Sequence, residues 1–329
     1  MAATRVQLKH ILCPTDFSEF SARALRHAVS MARRFEATLT VLHVTPLAVA
    51  YGGDMPYFPS APLALNPSSR KDTEAELREF VQATLLDRVQ VNLEVTAGDP
   101  WREIRSMADA LPADLLVMGT HGRGGFERFI LGSVTEKVLR SVACPVLTVS
   151  HEEGRTWQAP GLISRILCAT DLSESSAHTI AFALSLAAEN QAHVTFLNVV
   201  ESAPELALSA YAPPFEVGPP SYDLKQRAGQ QLHDAITEEA RAWCQVEERV
   251  EMGAAYKKIL ERAAEDRSDL IVMGSRGRGA LGAMLFGSTS QHVVRAATCP
   301  VLSVWPRRSG EVAATASAGD AAERGFALR

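Results

Sequence analysis

The chain has 329 residues, of which 47% are hydrophobic and 22% charged, and its formal net charge at pH 7 is −5. This length suits two globular domains of roughly 150 residues each. The net negative charge does not favour nucleic acid or anionic membrane, and the sequence shows no apolar run of roughly 20 residues and no apolar N-terminal segment, so we predict a cytoplasmic protein that neither binds nucleic acid nor spans a membrane.

Short apolar runs alternate with longer amphipathic stretches in the first half of the chain. Five strands are predicted, at His10–Pro14, Thr38–Val44, Val89–Thr96, Asp114–Met118 and Pro145–Val149, with helices between them. The fourth run and its counterpart in the second half, Leu270–Met273, are apolar on both faces, as is typical of central strands covered by helices on each side. The pattern predicts an α/β fold with an open parallel sheet.

An aspartate follows the first predicted strand in each half, Asp16 in Thr-Asp-Phe-Ser-Glu and Asp171 in Thr-Asp-Leu-Ser-Glu. At the carboxyl end of a strand, its carboxylate could accept a hydrogen bond from the amino group of adenine. Alternatively, Asp16 with Glu19 three residues later would form a capping box for the first helix. Both interpretations stay open at this point.

A long proline-rich segment follows the second strand in each half, at Pro46–Pro67 and Pro204–Pro220. Loops of this length are uncommon unless they are functional or mobile. A flexible surface loop, a lid over a ligand and a partner-binding segment are the three interpretations.

A glycine-rich segment follows the fourth strand. It reads Gly-Thr-His-Gly from Gly119 to Gly122, and after nine more residues Gly132-Ser133. The second half repeats this spacing with Gly274, Gly277, Gly287 and Ser288. Glycines at a strand end allow backbone amides to approach a ligand, and a following helix N-terminus favours anions, so a phosphate site is predicted.

Two features of this segment have simpler interpretations. Ser133 with Glu136, and Ser288 with Gln291, have the spacing of capping boxes. Arg123 and Arg278 could face phosphate or could simply be solvated. The Walker motif is absent, and the Gly-x-Gly-x-x-Gly match at residues 277–282 is attributed to chance because it follows the fourth strand and not the first.

The two halves match at a constant offset of 155 residues, which pairs Asp16 with Asp171, Gly119 with Gly274 and Cys144 with Cys299. An offset this long indicates duplication of a whole domain and not a short solenoid repeat. We predict domains at residues 1–150 and 162–305, a linker at 151–161 and a disordered tail at 306–329. Five cysteines without a C-x-x-C pair are expected to fill the core and not to form disulfides or a zinc site.

These motifs, together with the Cys-Pro-Val-Leu sequence at the last strand of each half, resemble the universal stress protein family over residues 8–150 and 162–305. The resemblance implies two tandem open five-stranded parallel α/β sandwiches of the adenine nucleotide alpha-hydrolase-like type. It also implies ATP binding, with Mg²⁺ carried, if at all, by the ATP phosphates and not by protein ligands.

The resemblance further implies the residues of each site. In the first half the adenine side would be Pro14, Asp16 and the backbone of Val44, and the ribose and phosphate side would be Met118, Gly119, Gly122, Gly132, Ser133, Val134 and Thr135. The second-half equivalents would be Asp171, Val199, Met273, Gly274, Gly277, Gly287, Ser288, Thr289 and Ser290. The second half departs from the motif at Ala169, where the first has Pro14, so two competent sites of unequal affinity are expected.

Family members dimerise through their last strand, which implies an intramolecular pseudo-dimer of the two halves and leaves room for a homodimer. The favoured function is that of an ATP-binding stress-response regulator whose conformation is read by a protein partner that the sequence does not identify. The alternatives are an enzyme with slow ATP hydrolysis or autophosphorylation, and a structural scaffold with empty glycine loops. No catalytic residue is assigned.

Overall fold

Strands and helices alternate in both halves of the chain. The computed structural model describes residues 6–46, 67–84, 89–122, 131–150, 163–201, 221–275 and 286–305. The first half forms β1 His10–Thr15, α1 Glu19–Phe35, β2 Thr38–Thr45, α2 Pro67–Thr84, β3 Val91–Ala97, α3 Pro100–Ala110, β4 Leu115–Gly119, α4 Ser133–Ser141 and β5 Val146–Val149. The second half forms β6 Arg165–Ala169, α5 Ser176–Asn190, β7 His193–Val200, α6 Ser221–Ala235, α7 Glu238–Arg241, β8 Gln245–Met252, α8 Ala255–Glu265, β9 Leu270–Gly274, α9 Ser288–Ala296 and β10 Val301–Val304.

Some predictions concern residues outside the described ranges. They are the predicted linker at 151–161, the predicted tail at 306–329, almost all of the two proline-rich segments, and the residues Arg123, Gly277 and Arg278 of the glycine-rich segments. The remaining predicted elements are present, and the predicted α/β class and five strands per half are confirmed.

The ten strands form one sheet with the order β3-β2-β1-β4-β5-β10-β9-β6-β7-β8. Within each half all pairings are parallel, which fits the helices that connect successive strands. The two five-stranded sheets are therefore joined edge to edge into one mixed sheet, a continuity that the tandem pattern alone does not predict.

The junction between the halves is an antiparallel pairing of β5 with β10. Leu147 pairs with Leu302, its own equivalent at the 155-residue offset, and Thr148 pairs with Val301 while Val146 pairs with Ser303. Equivalent residues thus exchange partners about a local two-fold axis, as in an isologous dimer interface. Both leucines are buried, so each last strand covers the exposed edge of the other.

Two hydrophobic clusters cover the two faces of the sheet, and each contains residues of both halves. One includes Leu25, Leu77 and Phe196 beneath α1, α2, α5 and α6, and the other includes Ile104 and Ile259 beneath α3, α4, α8 and α9. No helix within the described ranges combines the length and the apolar character needed to cross a membrane.

Three of the five cysteines agree with the core-filling prediction, and Cys144 and Cys244 are half-buried. Cys13, Cys168 and Cys299 are buried, and burial raises the pKa of Cys13 to about 12. Burial also raises the pKa of Cys144 to about 12. Thiols that stay protonated at neutral pH are poor nucleophiles and poor metal ligands.

Candidate functional site

The strand order creates a crevice at the carboxyl ends of β1 and β4 in the first half, and of β6 and β9 in the second. These neighbouring strands are followed by connections that run in opposite directions across the sheet, and ligands of open α/β sheets bind at such switch points. Asp16 follows β1 and Gly119 ends β4, so the structure brings the two predicted motifs of the first half to one edge. Asp171 and Gly274 have the same placement in the second half.

The aspartate lies in a tight turn that both halves share. Phe17 and Leu172, the residues that follow the aspartates, have φ angles of 65° and 59°, a left-handed conformation that is uncommon for bulky side chains. The N–H of Phe17 donates to Oγ1 of Thr15 at 3.1 Å, and the N–H of Ser18 donates to Oδ1 of Asp16 at 3.1 Å. The same pair of bonds recurs at Thr170 and Asp171. Backbone strain held by local bonds is typical of functional sites.

The capping-box interpretation of Asp16 is wrong. The helix α1 begins at Glu19 with Ser18 as its N-cap, because the Ser18 hydroxyl accepts the N–H of Ser21 at 3.2 Å. Oδ1 of Asp16 instead accepts the Ser18 hydroxyl at 2.6 Å. In the second half Asp171 accepts the hydroxyls of Ser173 and Ser176. The aspartates therefore do not cap their helices but are oriented by the serines that follow them.

Gly122 brings the glycine-rich segment against Asp16. A Cβ atom added at Gly122 would lie 2.6 Å from Oδ2 of Asp16, closer than real side chains allow. A Cβ atom at Gly132 would lie 3.1 Å from the carbonyl oxygen of Thr120, which accepts the N–H of Gly132 at 2.8 Å. Both glycines are thus explained by close approach, and a ligand at this edge can approach the main chain directly.

The capping boxes predicted at Ser133 and Ser288 are also wrong. Gly132 and Gly287 are the N-caps of α4 and α9, and the serines are exposed first residues of these helices. The hydroxyl of Thr135 donates to the carbonyl of Gly119 at 2.9 Å, and that of Ser290 donates to the carbonyl of Gly274 at 2.9 Å. These bonds fasten each helix start to the end of the central strand.

The first turn of α4 carries Ser133, Val134 and Thr135, and that of α9 carries Ser288, Thr289 and Ser290. The first N–H groups of a helix have no partner within the helix, and the helix dipole places partial positive charge there. Phosphate is a ligand that suits such a terminus at a strand end.

The second half contains a cavity of about 860 Å³ at this edge. This volume lies within the roughly 300–1,000 Å³ of small-molecule sites. Eight of the nine residues predicted for the second site line the cavity: Asp171, Val199, Met273, Gly274, Gly287, Ser288, Thr289 and Ser290. The ninth, Gly277, lies outside the described residues, and Ala169, the position of the departure from Pro14, lines the cavity as well.

In the first half, Pro14, Val44 and Met118 are buried within β1, β2 and β4. The ring of Phe17 stacks on His43 with a centroid distance of 4.3 Å, and Nδ1 of His43 lies 2.9 Å from the carbonyl oxygen of Thr15. Asn198 makes the equivalent bond to Thr170 in the second half. These contacts tie the turn that holds the aspartate to the neighbouring strand.

Several residues that line the second cavity were not predicted from the sequence. They come from the start of α5, including its N-cap residue, and from α6, and are Ser175, Ser176, Leu224, Arg227, Ala228 and Gln231. The spacing of the α6 residues is that of one helix face, but no motif in the sequence marks this face as part of the site. Within the described ranges, no group of three or more histidine, cysteine, aspartate or glutamate side chains is arranged to bind a metal ion.

Comparison with known proteins identifies the family and agrees with the fold. The model of the universal stress protein family matches residues 7–150 and 163–304. A universal stress protein of Mycolicibacterium smegmatis is 27% identical over 309 residues, covering 90% of this chain and 97% of that protein. One of Methanocaldococcus jannaschii is 34% identical over 141 residues, covering 43% of this chain and 81% of that protein. The crystal structure of a universal stress protein from Archaeoglobus fulgidus superposes with a TM-score of 0.61 at 26% identity, covering 91% of this chain and 97% of that one.

Proposed function

The chain belongs to the universal stress protein family, and we propose that it is an ATP-binding regulator with one nucleotide site in each half. The observation that carries the proposal is the convergence, in each half, of an oriented aspartate and a glycine-led helix N-terminus at one sheet edge. The family supports the proposal because its motifs occur twice in this chain, and it adds the expectation of a cytoplasmic location.

The residues present suit an adenine nucleotide. A carboxylate oxygen of Asp16 or Asp171 would accept a hydrogen bond from the amino group of adenine. The backbone at Val44 or Val199 would border the base. The phosphates would accept hydrogen bonds from the backbone N–H groups in the first turns of α4 and α9. These donors belong to the main chain, so the interaction needs no ionisable side chain. The cavity of about 860 Å³ in the second half has room for such a ligand. Mg²⁺ would enter with the phosphates.

Regulation would follow because a bound nucleotide orders the sheet edge at which it binds. A nucleotide that contacts the turn after β1 and the start of α4 links elements separated by about 120 residues of sequence, so its binding favours one arrangement of this edge over others. A protein partner that distinguishes the two arrangements would read the nucleotide state. In this proposal the paired β5 and β10 make the chain an intramolecular pseudo-dimer, and further homodimerisation would use other surfaces.

The experiment is mass spectrometry of the nucleotide released by denaturing the purified, natively folded protein. We expect about two equivalents of ATP per chain from the unaltered protein and near-complete loss from the double variant Gly132→Ala plus Gly287→Ala. Gly229→Ala is the matched control, because a Cβ atom at Gly229 would meet no atom of the described part of the chain within 4 Å. Failure of the unaltered protein to bind any adenine nucleotide, even after incubation with ATP and Mg²⁺, would overturn the proposal. Accumulation of ADP during that incubation would favour a slow ATPase instead.

A further inference from the structure

The α6 helix contributes one face to the cavity of the second half. Leu224, Arg227, Ala228 and Gln231 line the cavity, and their spacing of three and four residues places them along one stripe of the helix. Arg227 is the one basic side chain among the described residues that line it. A guanidinium group on the wall of a cavity is suited to bind phosphate through two parallel hydrogen bonds.

The acidic side chains of the same cavity already have hydrogen-bond donors. Oδ1 of Asp171 accepts the hydroxyl of Ser173 at 2.7 Å, and Oε1 of Glu201 accepts the N–H of Ala255 at 3.0 Å. No carboxylate of the described ranges forms an ion pair with Arg227. The charge of Arg227 therefore stays available to an anionic ligand in the cavity.

The first half has the opposite charge on this helix face. At the 155-residue offset Asp72 is the equivalent of Arg227, and Glu76 is the equivalent of Gln231. The burial of equivalent residues supports this pairing of the two helices. Leu77 and Leu232 are both fully buried, and Val81 and Ile236, one turn further on, are each less than 5% exposed. At these helix positions the first half thus carries two exposed carboxylates where the second half carries one guanidinium and one neutral amide.

We infer that Arg227 contacts the phosphates of the nucleotide in the second half and makes the second site selective for the polyphosphorylated ligand. The first site, with Asp72 at the equivalent position, binds ATP more weakly and discriminates less between ATP and adenosine. This inference rests on the proposed nucleotide-binding function and adds to it a division of labour between the two sites.

The test measures the dissociation constants of ATP and adenosine by calorimetry, with the full-length chain carrying Gly122→Ala to remove the first site. Adding Arg227→Gln should weaken ATP binding about tenfold, the size of one partly exposed charge-assisted hydrogen bond, and should leave adenosine binding within about twofold. Lys225→Gln is the matched control, because it removes the same charge from the same exposed helix at a position that does not line the cavity.

A reciprocal variant tests the first site. In a chain that carries Gly287→Ala to remove the second site, Asp72→Arg should strengthen ATP binding several-fold without changing adenosine binding. Equal effects of Arg227→Gln and Lys225→Gln would overturn the inference, as would an equal loss of ATP and adenosine affinity in Arg227→Gln. If the unaltered chain binds ATP at both sites but the variants give either of these two results, the proposed function stands and the division of labour fails. If the unaltered chain binds no adenine nucleotide, both fail.

Discussion

The turn at Asp16 illustrates how a few residues prepare the site. Thr15, Asp16 and Ser18 hold Phe17 in a left-handed conformation through two hydrogen bonds of 3.1 Å each. One carboxylate oxygen is occupied by Ser18, and the other faces Gly122. These local hydrogen bonds stabilise the strained backbone of the turn without the help of a ligand.

Gly122→Ala should abolish nucleotide binding at the first site alone. The added Cβ atom would lie 2.6 Å from Oδ2 of Asp16, so the glycine segment or the carboxylate must move. We expect the number of ATP molecules bound per chain, measured by equilibrium dialysis, to fall from two to one. An unchanged number would show that the contact between Gly122 and Asp16 is irrelevant to binding.

His27 should make the fold sensitive to acid. Burial, assisted by the charge of Arg26, lowers the pKa of His27 from 6.5 to about 3. Between these pH values the unfolded chain binds a proton that the folded chain excludes, so stability is full above pH 6.5 and falls as the pH decreases toward 3. At pH 5 the loss from this one residue is about 2 kcal/mol.

The variant His27→Phe should remove that loss. Phe182 is the equivalent residue of the second half and is buried at 2% exposure, so the chain already accommodates this side chain in the same setting. Urea unfolding at pH 7 and pH 5 would measure the difference in the free energy of unfolding. The same pH dependence in the variant and in the unaltered protein would contradict the assignment to His27.

At the level of elements, α6 combines an apolar face, buried through Leu232 and Ile236, with a cavity-facing stripe that includes Arg227. Gly229 lies within this helix, and no atom of the described residues lies within 4 Å of the Cβ atom that a substitution would add. Gly229→Ala should therefore stabilise the protein by about 0.5–1 kcal/mol through helix propensity. Chemical denaturation would measure the gain, and a decrease in stability would mean that the glycine has a conformational role.

The elements and motifs differ in how far the sequence predicts them. The strands, the aspartate after β1 and the glycine segment after β4 are local patterns, and parallel topology brings their carboxyl ends to one edge. The helix starts were predicted less well, because Ser18 rather than Asp16 caps α1 and Gly132 rather than Ser133 caps α4. Capping depends on backbone angles that composition does not determine. The cavity wall from α6 depends on how this helix packs against strand ends that lie far from it in sequence, which no local pattern encodes.

At the level of the molecule, the seam between the halves is asymmetric in charge. Nε2 of Gln291 donates to Oε1 of Glu136 at 3.3 Å, and these two residues are equivalents at the 155-residue offset. Two copies of the first half paired in the same way would place two Glu136 carboxylates together. The glutamine in the second half replaces that repulsion with a hydrogen bond.

Gln291→Glu should destabilise this seam by about 1 kcal/mol at pH 7, because it places like charges at hydrogen-bond distance in a half-exposed setting. The exchange variant Glu136→Gln plus Gln291→Glu should restore stability, since the carboxylate introduced at position 291 would find Arg295 four residues on, as Glu136 finds Arg140 at 2.8 Å. Urea unfolding of the three proteins would measure both effects. A single variant as stable as the unaltered protein would show that the contact across the seam carries no energy.

Two copies of one sheet edge, joined through β5 and β10, should bind two nucleotides, and calorimetric titration of the full-length chain with ATP and Mg²⁺ tests this directly. We expect two ATP molecules bound per chain, falling to one in Gly122→Ala and to none when Gly287→Ala is added. Saturation of the unaltered protein at one ATP or none, or two ATP molecules still bound by the double variant, would contradict the assignment of a nucleotide site to each half.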